Sequence, residues 1–242
     1  MPPDTVAIGK VHNAPAGRVA IVDYGLGNLY SVQQACAQVD LHAEITSSKI
    51  NILEADAVIL PGVGAFQNAM ATLHDLDLVG PLRDIAASPK PLIGICLGIQ
   101  LLMSESYEFG WHQGLGIIEG TVIRFDNPTE DGRVLKVPQI GWNRIHGAAP
   151  GEDPQEPQWA DSLLQGLHEG EYMYFVHSYI VQPQDPDVIL SISRYGDVEF
   201  CSSLRCRNVS ACQFHPERSG RSGIEVYHNI ARIISRSMLG AC

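Results

Sequence analysis

Apolar residues run almost unbroken through RVAIVDY from Arg18, AVIL at 57–60 and PLIGI at 91–95. Such runs, without polar alternation, suit parallel strands covered on both faces. HAEIT, at 42–46, reads as a further strand. Between the strands the period lengthens. Leu29, Val32, Cys36 and Val39 recur on one helical face, with Asn28 placed to cap it. Helical spacing also fits from Gln67 to about Leu76, over LVGPLRDIAAS at 78–88, and from Ile99 to Ser104. Strands alternating with helices predict βαβ units, and right-handed crossovers gather the loops after the strands at one edge. Residues 24–28, 61–66 and Cys96 would converge there, where open α/β sheets bind ligands.

Beyond Gly110 the pattern changes. LGIIEGTVIRFD, VLKVPQIGWNRI, EYMYFVHSYIVQP and VILSISRYGDVEF read as strands of antiparallel character joined by turns. GIEVYHNIARIISRSM closes the pattern as an amphipathic helix with Val226, Ile230, Ile233 and Ile234 inward. The polar, proline-rich AAPGEDPQEPQ at 148–158 reads as a solvated insertion, and residues 1–17 as a disordered extension. The whole predicts an α/β fold: one doubly wound domain over 18–242, with a mainly parallel central sheet flanked by helices and an antiparallel extension.

Charge and composition narrow the partners. Sixteen basic against 27 acidic residues give a formal net charge of −11, and no basic stripe suggests nucleic-acid binding. Six cysteines in 242 residues, with no C-x-x-C pair, form neither a disulfide framework nor a usual zinc site. Free thiols suggest a reducing compartment, and no stretch is apolar enough for a signal or membrane span, so a cytoplasmic protein is expected.

The strongest chemical signal is PLIGICLGIQLL at 91–102. Gly94 and Gly98 flank Cys96 at i−2 and i+2, the cysteine counterpart of the G-x-S-x-G elbow that holds a nucleophile above a sheet. The following helix would favour thiolate, and the Leu97 amide would point where an oxyanion forms. A cysteine nucleophile needs a base and a group to orient it. CQFHPERSG offers His215 with Glu217 two residues on, which an extended segment would place on one side. PGVGAF at 61–66 reads either as a simple glycine turn or as a loop presenting the Val63 amide to an anion. YGLGN lacks the third glycine of a dinucleotide loop, so that cofactor is not expected.

GICLGIQLL followed by QFHPE resembles the class I glutamine amidotransferases. YGLGN, PGVGAF, IGWN at 140–143 and YFVHSY at 174–179 resemble, more narrowly, the glutaminase subunits of imidazole glycerol phosphate synthase. The resemblance implies hydrolysis of glutamine by a triad of Cys96, His215 and Glu217, with Leu97 and Val63 amides as the oxyanion hole. It implies glutamine contacts at Gly62, Gly64, Gln100, Glu108, His177 and Ser178, with no cofactor and no metal. It also implies a heterodimer with a cyclase subunit, a (β/α)8 barrel, that receives the ammonia; the docking face would include Asn28, Gln139, Trp142, Tyr174 and Arg218. Two positions depart from the pattern, since relatives commonly carry histidine at Gln139 and lysine at Arg218. Two other readings fit the residues: a γ-glutamyl hydrolase working alone, and a non-enzymatic scaffold keeping the fold.

Overall fold

The computed structural model describes residues 17–148 and 159–240. The expected N-terminal extension, apart from Gly17, and the proline-rich insertion, apart from Ala148, lie outside the described residues. The chain begins with β1 (Arg18–Val22), α1 (Leu29–Ala37), β2 (His42–Thr46), α2 (Lys49–Glu54) and β3 (Ala57–Gly62). There follow α3 (Phe66–Asp75), α4 (Val79–Ala87), β4 (Leu92–Cys96) and α5 (Leu97–Leu101). Short strands come next: β5 (Met103–Ser106), β6 (His112–Gln113), β7 (Ile118–Arg124), β8 (Thr129–Glu130) and β9 (Arg133–Val134). The remainder is β10 (Gln139–Arg144), β11 (His146–Gly147), β12 (Tyr172–His177), β13 (Tyr179–Pro183), β14 (Ile189–Tyr195), β15 (Val198–Cys206), β16 (Val209–Cys212) and α6 (Gly220–Gly240).

The central sheet has eight strands in the order β11-β14-β15-β16-β4-β3-β1-β2. From β2 to β16 every pairing is parallel, and β14, β15 and β11 extend the sheet in antiparallel fashion. The apolar runs are explained by what covers them. Ala20, Val22, Val58, Leu60 and Leu92 enter one core beneath α3 and α4, whereas Val19, Ile21, Ile59, Ile93 and Ile95 enter the other beneath α1 and α6. Because alternate residues point to opposite faces, a strand packed on both has no place for a polar side chain. The sequence-predicted doubly wound fold is the one observed.

Four local expectations need correction. Helix α2 was not foreseen; it is short, and its start is marked by Ser48, whose Oγ accepts the Asn51 N–H at 3.3 Å. The helix expected at Ile99–Ser104 instead spans Leu97–Leu101, after which the chain turns extended as β5 to pair with β7. EYMYFVHSYIVQP is two strands broken at Ser178: β12 pairs with β10, whereas β13 joins the small sheet β13-β7-β5-β6. Asn28 does precede α1, but its side chain accepts no capping hydrogen bond.

Candidate active site

Strand β4 ends at Cys96, whose φ of 54° and ψ of −106° lie outside ordinary strand or helix geometry. A turn this sharp requires its neighbours to be small. A Cβ on Gly98 would lie 1.9 Å from the Leu60 carbonyl oxygen of β3, and one on Gly94 3.0 Å from Ala211 Cβ. The glycines therefore permit the close approach of the elbow to β3 and β16. The spacing G-x-C-x-G records that packing. The helix that follows is a single turn, so few peptide dipoles align behind the sulfur. Charge support for Cys96 comes instead from a side chain.

That side chain is His215. Beyond β16, Pro216–Arg218 forms a 3-10 turn, closed by the Arg218 N–H donating to the His215 carbonyl at 3.0 Å. The turn, and not the expected extended segment, brings His215 Nδ1 to 2.7 Å from Glu217 Oε1. Both side chains are almost wholly enclosed. Burial alone lowers the imidazole pKa, but the facing Cys96 sulfur and the Glu217 carboxylate outweigh it, leaving His215 raised to about 10. Nδ1 belongs to Glu217, and the enclosed Nε2 has no conventional hydrogen-bond partner among the described residues. The arrangement suits a thiolate–imidazolium pair held by a carboxylate.

The backbone around His215 is fixed as well. Its N–H donates to the Tyr174 carbonyl at 2.9 Å, and its own carbonyl accepts the Ser219 hydroxyl at 2.7 Å. The same hydroxyl accepts the Tyr174 N–H at 3.0 Å, so β12 and the turn carrying the imidazole are laced together.

A cleft of about 460 Å³ opens over Cys96, lined by Val63, Gly64, Leu97, Gln100, Glu108 and His177 among others. Ser178, at the break between β12 and β13, lies on the same wall. Glu108 is buried and its carboxylate accepts the Phe66 N–H at the start of α3. Gln100 Nε2 donates to the Tyr179 carbonyl at 3.2 Å and to Gln213 Oε1 at 3.1 Å, which leaves its own carbonyl oxygen for the cleft. His177 donates from Nδ1 to the Tyr179 carbonyl at 2.9 Å; burial is the main reason that its pKa falls to about 4, and it stays neutral. Val63 is exposed at the cleft mouth, whereas Gly62 lies behind the wall against Tyr24 and Leu97.

Gln213 escaped the sequence reading. Its Nε2 lies 3.8 Å from Cys96 Sγ while its carbonyl holds Gln100. Alternation could have found it, since 213 and 215 share a face of an extended approach. Phe109, also missed, stands exposed beside the cleft.

Antiparallel β10 and β12 form a ribbon next to this site, in register Trp142 with Tyr174 and Gln139 with His177. Trp142 is 56% exposed and meets Tyr174 edge-on at 6.0 Å, and the Arg218 guanidinium lies 4.6 Å above the Tyr174 ring. Exposed Asn28 leads into α1, which contacts the Pro216–Arg218 turn. Gln139 is not exposed beside them. It is 4% exposed, on the face of β10 opposite Trp142, and its Oε1 has no partner among the described residues. No cluster of potential metal ligands occurs among the described residues.

Residues 20–232 match the model of the class-I glutamine amidotransferase family. The imidazole glycerol phosphate synthase subunit HisH of Syntrophotalea carbinolica is 45% identical over 87% of this chain and 98% of its own length. The HisH subunit of Aquifex aeolicus is 42% identical over 89% of this chain and 96% of its own. Among solved structures, PurLQS from Thermotoga maritima superposes with a TM-score of 0.65 at 16% identity, covering 90% of this chain and 98% of that one, a likeness of fold. The chain is an enzyme that belongs to the class-I glutamine amidotransferases and, within them, to the HisH subunits of imidazole glycerol phosphate synthase.

Proposed function

We propose that the chain hydrolyses glutamine to glutamate and ammonia for imidazole glycerol phosphate synthesis in histidine biosynthesis, with Cys96 as nucleophile. The observation that carries this reading is the enclosed 2.7 Å His215–Glu217 pair set against Cys96 at the floor of a cleft. The Cys96 thiolate attacks the side-chain amide carbon. The carbonyl oxygen becomes an oxyanion, which the Leu97 amide meets at the start of α5, where amides lack intrahelical acceptors. The Val63 amide is the second donor once its peptide turns inward. His215 gives its proton to the departing nitrogen, the C–N bond breaks, and ammonia leaves a γ-glutamyl thioester. The now neutral imidazole takes a proton from water, whose oxygen displaces the thiolate as glutamate forms. Glu217 holds the imidazole orientation through both proton transfers.

Substrate recognition follows from charge. The Glu108 carboxylate suits the α-ammonium of glutamine, and Gln100 with the His177–Ser178 segment and Gly64 frames the rest of the cleft. Gly62 shapes the loop from behind. The domain is 18–242, working in the cytoplasm; no helix among the described residues is long and apolar enough to cross a membrane.

The exposed Trp142–Tyr174–Arg218 surface beside the site, with Asn28 at its edge, is where the cyclase subunit, a (β/α)8 barrel, docks as heterodimer partner. Ammonia released in bulk water would become ammonium, so it passes directly into that partner. Losing one oxyanion donor costs ~10²–10³ in rate, so a Val63 amide that is placed only when the partner is loaded would keep the lone chain slow. Glutamate release is measured for the chain alone and with the ligand-loaded cyclase. Release that appears only in the loaded complex supports this account; equal release by the lone chain contradicts it and favours a partner-independent γ-glutamyl hydrolase.

A further inference from the structure

Tyr24, at the end of the strand-to-loop segment that follows β1, takes no part in the chemistry above. Yet it is 1% exposed, and its hydroxyl donates to the Pro61 carbonyl at 2.7 Å. A Cβ on Gly62 would lie 1.9 Å from that same hydroxyl oxygen, so residue 62 must be glycine for the phenol to fit. Tyr24 is also within electrostatic reach of Cys96. The phenol therefore stands against the Pro61–Gly62 backbone, where the loop that carries Val63 begins.

The consequence is mechanical. A peptide unit is planar, so holding the Pro61 carbonyl also fixes the direction of the Gly62 N–H. At the other end of the loop, the Phe66 N–H is held by the buried Glu108 carboxylate. Two side chains thus clamp the segment at 61 and at 66. Between them, Gly62 and Gly64 flank Val63, and Gly64 already occupies a φ of 104°, which side-chain-bearing residues rarely adopt. Rotation is confined to the three peptides between Gly62 and Ala65, two of which flank Val63. With both ends fixed, turning one peptide delivers one amide to one place.

We propose that Tyr24 is a positioning residue for the oxyanion hole: its hydroxyl anchors the Pro61 carbonyl so that reorientation of the 62–64 peptides presents the Val63 amide to the oxyanion. This rests on the glutaminase reading of Cys96. Without the anchor, the end of β3 is held only from the β4 side, where Gly62 pairs with Cys96, and the Val63 amide arrives misplaced.

The test is Tyr24→Phe, which removes one oxygen and keeps the ring, assayed in the loaded complex with the cyclase. Turnover is compared with alkylation of Cys96 by iodoacetamide. Alkylation displaces iodide at carbon and creates no oxyanion, so it reports the Cys96–His215 pair without the hole. The expected result is a fall in kcat of about tenfold, part of the ~10²–10³ carried by one oxyanion donor. KM for glutamine and the alkylation rate should stay within about twofold, as befits loss of an interaction made only in the transition state. Gly62→Ala, which drives a methyl into the hydroxyl, should lower kcat in the wild-type background. It should cost less in the Tyr24→Phe background, where the oxygen is gone, so the two losses are not additive.

Unchanged kcat in Tyr24→Phe overturns the proposal. So does a parallel fall in turnover and alkylation, which would place the effect on the nucleophile or on folding, and so do strictly additive losses. A wild-type complex that releases no glutamate refutes instead the glutaminase reading itself, and that control is read before any variant.

Discussion

Gly98→Ala adds a single methyl group, and its effect can be worked out from the elbow. The new Cβ would stand 1.9 Å from the Leu60 carbonyl oxygen and 3.1 Å from the carbonyl carbon. Carbon and oxygen normally approach no closer than ~3.3 Å, so the overlap is ~1.4 Å. Neither side yields easily. Leu60 lies within β3 in register with Gly94 of β4, and both strands are buried in the middle of the sheet. The strain must move the elbow, and Cys96 with it, away from β3. A displacement of ~1 Å at a reacting group costs about 10²-fold in rate. Overpacking of this kind destabilises by about 1–3 kcal/mol or more, and ~2–4 °C accompanies each kcal/mol in a chain this size. The assay pairs glutamate release by the loaded complex with thermal unfolding of the chain. Gly80→Ala is the control: it lies in α4 with nothing within 4 Å of an added Cβ, and should leave activity intact and stability equal or slightly higher. Wild-type kcat and Tm in Gly98→Ala would refute the close-packing account of the elbow.

Other outcomes follow from the same geometry. His215, raised to about 10 from an ordinary 6.5, keeps its proton in the folded chain at pH values where the unfolded imidazole has lost it. Its contribution to stability is thus complete below the ordinary value and lost as pH rises toward 10. Histidine NMR should show Cys96→Ala lowering the His215 titration, since the sulfur supports the imidazolium; an unmoved titration contradicts the pairing. Trp142→Ala should weaken cyclase binding by ~2 kcal/mol, ~30-fold in Kd, with Tm unchanged, as measured by calorimetry. Gln139→Ala should do the reverse, lowering Tm by emptying a buried position while leaving the surface near Trp142 intact; weakened binding without loss of Tm would return Gln139 to the interface.

How much of this was legible in the chain depended on whether the signal was local. The strands at Arg18, Ala57 and Leu92 announced themselves because burial on both faces leaves only apolar residues. The elbow was equally plain, since two glycines two residues from a cysteine encode its close approach to β3 and β16. His215 and Glu217 were found by spacing, although a 3-10 turn and not an extended segment joins them. What stayed hidden was set by distant partners. Nothing within EYMYFVHSYIVQP tells that its halves pair with β10 and β7, on different sheets. Gln139 reads like any polar residue in a ribbon until His177 is seen opposite it. Tyr24 looked like one more apolar position at a strand end, because its hydroxyl finds Pro61 only across the fold.

The central claim is that Cys96 attacks glutamine and carries its γ-glutamyl group. It is tested most directly by quenching the loaded complex in acid during turnover and mapping the chain by mass spectrometry. A γ-glutamyl thioester on Cys96 is expected, labile to hydroxylamine and absent from Cys96→Ala, which should also release no glutamate. Glutamate release that continues in Cys96→Ala, or an adduct carried by another residue, would contradict it.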